Sequence, residues 1–350
     1  MNYSTEIQTN NSDLDSVFTL RVLPSLYCLV FVVGLPLNCM VAWIFLRLGA
    51  DSGLVVYLQN MVVADLLMLI TIPLRVADNL GFQNKDLYVI TCRYTDVLFY
   101  TCLYMGIIFI GFISLERYAK IVHPSSSASC TPRFSVVSLL RYLEKTRCAW
   151  VVVLLSWVIL LAIVLPNVVM TSKDPTGKNF QDCMLLKTPA GAQWHTGIIV
   201  FNTILFWVTF VIVTFCYGSI GMEVYRSQTR ICQDSTGACG RSSRSIFIIL
   251  VVFFICFVPY HACRIQYTHC QVQESKDCCR DSVVLYHLKE VTLFLSALNV
   301  CLNPVIYFFM CPKFQETLKR KLSERRRRRS QTVKQTCKHL GINNFHERNK

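Results

Sequence analysis

Seven stretches of this chain are long and apolar enough to cross a bilayer: 20–46, 54–77, 88–121, 148–170, 194–225, 244–269 and 283–310. A crossing helix needs about 20 mostly apolar residues. Hydrocarbon offers the backbone no water, so every amide must find its partner within the protein. The composition agrees: 53% of the 350 residues are hydrophobic, and the mean hydropathy is +0.42. The expected fold class is an all-α membrane protein. It comprises a seven-transmembrane helix bundle over 20–310, an outer N-terminal segment over 1–19, and a tail over 311–350 with a short amphipathic cytoplasmic helix. Pro24, Pro36, Pro73, Pro166, Pro259 and Pro304 fall within the spans or at their ends. Membrane helices tolerate such breaks because neighbours re-satisfy the freed carbonyls.

Charge sets the orientation. The formal net charge is +14, and Lys and Arg crowd the loops and tail of one side. The other side holds only Arg21, Lys85, Lys173, Lys178, Lys187, Lys276 and Arg280. The positive-inside rule then puts the N-terminus outside and the tail in the cytoplasm. The basic run "KRKLSERRRRR" sits just past the last span, a place suited to anionic membrane lipids or a cytosolic partner, not to nucleic acid. Residues 1–16 lack the apolar core of a signal peptide, so the first span is expected to act as its own insertion signal. Asn2 and Asn10 open glycosylation sequons on the expected outer side. Phe314, Leu318 and Leu322, four apart, give the tail helix its apolar stripe.

Most of the 18 Cys lie in spans, where a free thiol is a small buried hydrophobe. The outer face is oxidising and favours pairing. Cys92 with Cys183 is the favoured bridge, tying the second outer loop to the third span. Cys270 is the remaining candidate, paired with Cys278 or Cys279.

Polar residues inside the spans mark function by default, because lipid makes them costly. Asp65 stands in the second span. Glu116 and Arg117 end the third, and Asn299, Asn303 and Tyr307 lie near the inner end of the seventh. His261 and Arg264 are nearly one turn apart and share a face of the sixth. A buried guanidinium needs an anion or a set of acceptors. Lys289 from the seventh span and Lys187 from the second outer loop bring two more cations toward the same outer cavity. An anion such as phosphate answers that charge, since Arg offers a fork and Lys a mobile point charge. Tyr100, Tyr104 and Tyr260 offer aromatic faces for a base. Lys289 precedes Glu290, but successive helical residues point apart, so no pairing is expected between them.

Asp65, "ERY" at Glu116, Arg117 and Tyr118, Trp157, "CFVP" ending at Phe257, Val258 and Pro259, and "NPVIY" from Asn303 through Pro304 to Tyr307 together resemble a rhodopsin-like G-protein-coupled receptor. The segments "CRYTDVLFYTCLYM", "HACRIQYT" and "KEVTLFLSALNVCL" resemble purinergic nucleotide receptors, in the branch responding to ADP and UDP-sugars with its orphan relatives. That resemblance implies phosphate contacts from Arg264, Lys289 and Lys187, with Tyr267 and Tyr286 nearby. It further implies donation from His261, stacking of a base on Tyr100, and a pocket place for His195. Asp65, Asn299 and Asn303 match a sodium site, and Glu116, Arg117, Tyr118, Phe257, Pro259, Asn303, Pro304 and Tyr307 match the activation switch. The chain departs from the branch at Ile199, Gln266, Asn303 and Gly106. Its second inner loop is also longer than the family pattern.

The expected function is a plasma-membrane receptor for an extracellular nucleotide or nucleotide sugar, signalling through an inhibitory heterotrimeric G protein. Arrestin and receptor kinases are further partners by resemblance. A receptor for another anionic ligand such as a lysophospholipid, an orphan receptor with ligand-independent activity, and a transporter are the alternatives. No enzyme is expected, because no nucleophile, base and orienting group assemble, and no cofactor or metal-ligand spacing is found.

Overall fold

A computed structural model describes residues 18–80, 84–122, 140–173, 183–231, 239–272 and 278–339. Seven helices carry the membrane-spanning segments: α1 Leu23–Leu48, α2 Gly53–Asn79, α3 Lys85–Val122, α4 Thr146–Met170, α5 Pro189–Ile231, α6 Cys239–Val272, and α7 in two parts, Cys278–Ala297 and Asn299–Met310. An eighth helix, α8, runs from Pro312 to His339. Several helices outrun their apolar cores: α5 and α6 extend beyond the expected 194–225 and 244–269, and α7 starts before residue 283. Hydropathy marks the lipid-embedded part of a helix, and backbone hydrogen bonding carries the helix further. The tail helix is likewise not short, with 28 residues. The sequons at Asn2 and Asn10 lie outside the described residues, and so do the side chains of Cys270, Cys278 and Cys279.

Local chemistry sets the helix ends. Asn84 caps α3, accepting from the amides of Asp86 at 3.0 Å and Leu87 at 3.5 Å. Past the end of α1, Gly49 has φ +67°, a region that strains any side chain. The helices close a ring in which α1 packs on α2, α2 on α4, α4 on α5, α5 on α6, α6 on α7, and α7 on α1. Helix α3 runs through the middle, touching α2, α4 and α5. In α2 and α3, 72% of the apolar core window is buried by protein, against 17% in α4. The outer face of α4 (Val151, Leu154, Leu155 and Val158) is left for lipid.

The prolines show how a bundle repairs its own breaks. Pro304 has no amide to give the carbonyl of Val300 four residues back. That carbonyl instead accepts from Asn38 Nδ2 of α1 at 2.9 Å. On α6, Pro259 leaves the carbonyl of Ile255 without its amide, and the next carbonyl, that of Cys256, accepts from Ser296 Oγ of α7 at 2.7 Å. Helix α7 itself turns aside at Leu298, between Cys278–Ala297 and Asn299–Met310.

One close approach fixes the inner side. The Gly53 amide donates to the carbonyl of Glu144 at 2.9 Å, and a Cβ on Gly53 would collide with the carbonyl oxygen of Leu143. Gly53→Ala is therefore expected to cost about 1–3 kcal/mol through overpacking against backbone. A lower melting temperature of the purified protein is the readout, and an unchanged one would show that residues 143–144 do not rest on α2.

Candidate ligand-binding site and inner switch

The outer half of the bundle gathers charge and aromatic rings. Arg75 of α2 is 8% exposed, and its Nη1 lies 3.4 Å from Asp96 Oδ1 of α3. Its Cζ sits 4.1 Å from the centroid of the Phe99 ring and 5.9 Å from that of Tyr100. Lys289 Nζ lies 2.6 Å from Glu290 Oε1, and 4.8 and 5.2 Å from the ring centroids of Tyr286 and Tyr267. Arg264 Cζ approaches the same Tyr267 ring at 5.7 Å. Asp96 is within electrostatic reach of Arg75, Glu290, Lys289 and Lys187. Four cations thus share one region with two carboxylates, and Asp78 lies at its edge.

Residues 183–188 of the second outer loop are tied to the outer ends of α3 and α4. Cys183 is bonded to Cys92 across a Cα–Cα distance of 5.4 Å, as expected. Thr171 and Lys187 form an antiparallel bridge. Lys187 is buried, and its Nζ donates to Asn167 Oδ1 at 2.8 Å and to Thr171 Oγ1 at 3.0 Å. This lysine is therefore anchored on the end of α4 and not adrift on a loop. Burial lowers its pKa to about 8.

His261 lies deeper. Its Nδ1 is 2.8 Å from the carbonyl of Phe257, and its Nε2 is 3.1 Å from the Tyr104 hydroxyl. A carbonyl only accepts, so Nδ1 carries the proton and Nε2 accepts from Tyr104. The ring stacks on Phe206 with centroids 3.7 Å apart, and meets Tyr260 edge-on at 5.0 Å. His261 thus accepts from Tyr104 while its other nitrogen is held by the backbone.

Buried polar atoms remain with unused capacity. Tyr27 Oη and His195 Nδ1 have no hydrogen-bond partner among the described residues, while Arg75 Nη1 and Asp96 Oδ1 meet each other as an ion pair and make no hydrogen bond. Such groups are costly unless water or a ligand reaches them. The arrangement suits an anionic ligand with a planar group: cations for the anion, phenol rings for the plane.

One expectation changes here, and one residue is new to the site. Lys289 does pair with Glu290, because both side chains are long enough to curl together although their Cα–Cβ bonds diverge. Arg75, in "TIPLRVADNL", had no assigned role. Its signal was present as a guanidinium near the outer end of an apolar span, with Asp96 as a matching acid in α3.

The inner half holds a second polar set. Asp65 accepts from Asn303 Nδ2 at 2.9 Å on each carboxylate oxygen, and from the Tyr307 hydroxyl at 2.9 Å. Asn299 is buried nearby, but its Oδ1 has no hydrogen-bond partner among the described residues. Arg117 Nε stands 3.6 Å from Glu116 Oε2, while its Nη2 donates to the carbonyl of Met310 at 2.6 Å. That bond ties α3 to the junction of α7 and α8. Tyr118 meets Phe215 of α5 at 5.7 Å, and Phe257 is fully buried against Phe253.

Residues 37–307 match the model of the 7 transmembrane receptor (rhodopsin family). The chain is 36% identical over 329 residues to G-protein coupled receptor 87 of Mus musculus, covering 94% of this chain and 88% of that one. It is 37% identical over 308 residues to purinoceptor 14 of Bos taurus, covering 88% and 87%. With purinoceptor 13 of Homo sapiens it shares 32% over 297 residues, covering 85% and 80%.

Proposed function

The chain belongs to the rhodopsin family of seven-transmembrane receptors, and on that premise we propose that its ligand is an extracellular nucleotide or nucleotide sugar. It is a multi-pass signalling receptor of the plasma membrane and not an enzyme. The names of its purinoceptor relatives support the ligand class. The observation that carries it is the gathering of Arg75, Lys187, Arg264 and Lys289 around tyrosine rings in the outer half of the bundle.

In this reading the N-terminus is extracellular and the ligand enters from that side. Arg264 and Lys289 take the phosphates, and Tyr267 and Tyr286 keep the two cations close. Lys289 exchanges or shares its Glu290 partner when an anion arrives. Tyr100 and Tyr104 present faces to the base, with His261 and Tyr260 beneath, and His195 at the end of α5 supplies one unused nitrogen. Binding draws the outer ends of α6 and α7 together, since contacts to both must favour the closed arrangement if the ligand is to activate. Pro259 and Pro304 are the bends. Arg117 then leaves the Met310 carbonyl and the inner face opens to a heterotrimeric G protein of the inhibitory type, followed by receptor kinases and arrestin. Asp65, with Asn303 and Tyr307, is the buried polar link between the two ends and the place a sodium ion would take.

The test is G-protein activation in cells, titrating ADP, ATP, UDP and UDP-glucose. Activation by one of these is expected. A receptor that reaches the surface and ignores all four speaks against the ligand class.

The Lys187 amine adds a pH signature. Its pKa of about 8 leaves it charged at pH 7 and largely neutral at pH 9. Affinity for the anion is expected to fall several-fold as pH rises through 8. Lys187→Arg stays charged throughout, so its binding curve should be flat over that range. Equal pH dependence in both proteins would remove Lys187 from the site.

A further inference from the structure

We propose that the groove between α1, α7 and α8 binds one anionic phospholipid, with an acyl chain in the groove and the headgroup on Arg47 and Lys321. Met40 and Val41 of α1, Val305 and Phe308 of α7, and Phe314 and Leu318 of α8 line a space of about 230 Å³. It opens away from the bundle, where hydrocarbon surrounds the helices.

An apolar groove alone accepts any chain. The selective part is its end. On α1, Met40, Trp43 and Arg47 follow one another at three- and four-residue spacing and so form one stripe. On α8, Phe314, Leu318 and Lys321 do the same. Each stripe runs from the groove to a cation, and the two cations meet on one ring. Arg47 Cζ lies 4.3 Å and Lys321 Nζ 5.5 Å from the Trp43 ring centroid.

Arg47 stands in the last turn of α1, the level at which a bilayer places its headgroups. Tryptophan favours that level too. Arg47 makes no ion pair among the described residues, and Lys321 reaches Glu324 only at 3.5 Å. Two cations held close to one indole form a local positive charge that favours an anion beside them. A phosphate accepts from the Arg fork and from the Lys amine together. A zwitterionic headgroup brings its own cation to the same spot, so a net-negative lipid is preferred.

The experiment reconstitutes the receptor in phosphatidylcholine vesicles with rising fractions of brominated phosphatidylserine or brominated phosphatidylcholine. Bromine in the acyl chains quenches nearby indoles. The chain has 5 Trp, so the Trp43 signal is read as the difference between wild type and Trp43→Phe. Half-quenching by the serine lipid is expected at a fraction about fivefold below that for the choline lipid, the factor for one interfacial charge. Arg47→Gln combined with Lys321→Gln should bring the ratio to one. If that pair is poorly produced, Arg47→Gln alone should lower the ratio clearly. Equal quenching of wild type by the two lipids overturns the proposal, and so does a preference that survives loss of both cations. Shielding of Trp43 from both lipids that grows with protein density would place a second copy of the chain in the groove instead, and would equally overturn it.

Discussion

Arg264→Ala is expected to raise the half-maximal concentration of the activating nucleotide by tenfold or more, about 1.4 kcal/mol, at unchanged surface density. The guanidinium stands beside Tyr267, on the helix that contains Pro259, and shares its region with Lys289. Hydrogen bonds to charged groups contribute about 1.5–3 kcal/mol each, so losing a bidentate phosphate contact can exceed the tenfold floor. Arg264→Lys keeps the charge and loses the fork, and should fall between the two. Were Arg264 serving only outer headgroups, its removal would change expression and leave potency alone. Radioligand displacement on intact cells, normalised to surface receptor, separates those outcomes.

The second large effect is structural. Cys92→Ser or Cys183→Ser should sharply lower the amount of folded receptor at the surface. The bridge spans 91 residues of sequence, and closing so long a loop is worth about 4–5 kcal/mol in the chain-entropy model. Without it Lys187 and its neighbours are held to the end of α4 by the Thr171–Lys187 bridge and the two Lys187 hydrogen bonds. The double variant should be no worse than either single one, because one bond is lost in each case. Normal surface levels and a normal melting temperature in the single variants would mean that those loop contacts suffice.

The bundle could be read from the sequence because lipid leaves so few choices. An apolar run of sufficient length must be a helix there, and seven such runs must pack together. Asp65, Asn303 and Tyr307 stood out for the same reason, since each is costly in hydrocarbon without a partner; that Asn303 and Tyr307 both donate to Asp65 is seen only in the structure. The Cys92–Cys183 bridge was the pairing favoured among the cysteines on the oxidising side, which also include Cys270, Cys278 and Cys279. What could not be read depended on side-chain reach. Lys289 and Glu290 are neighbours whose Cβ atoms diverge, yet their flexible ends meet at 2.6 Å. Arg75 escaped notice because it stands near the outer end of its span, where an Arg can reach the headgroups, and its partner Asp96 lies in another helix. The capture of the Val300 carbonyl by Asn38 was equally invisible, since it required knowing how α1 lies against α7. Helix α8 outran its amphipathic stripe because, past residue 322, polar and basic residues continue a helix that no lipid periodicity marks.

The central claim is that the outer cations hold phosphate, and a two-way comparison tests it most directly. Binding of a nucleoside diphosphate and the matching monophosphate would be measured on purified wild-type receptor and on Arg264→Ala. The account predicts that wild type prefers the diphosphate by at least about tenfold, and that the preference falls toward one in the variant, because the lost side chain and the lost phosphate are partners in one interaction. A preference of equal size in both proteins, or no binding of either nucleotide to folded wild type, would contradict it.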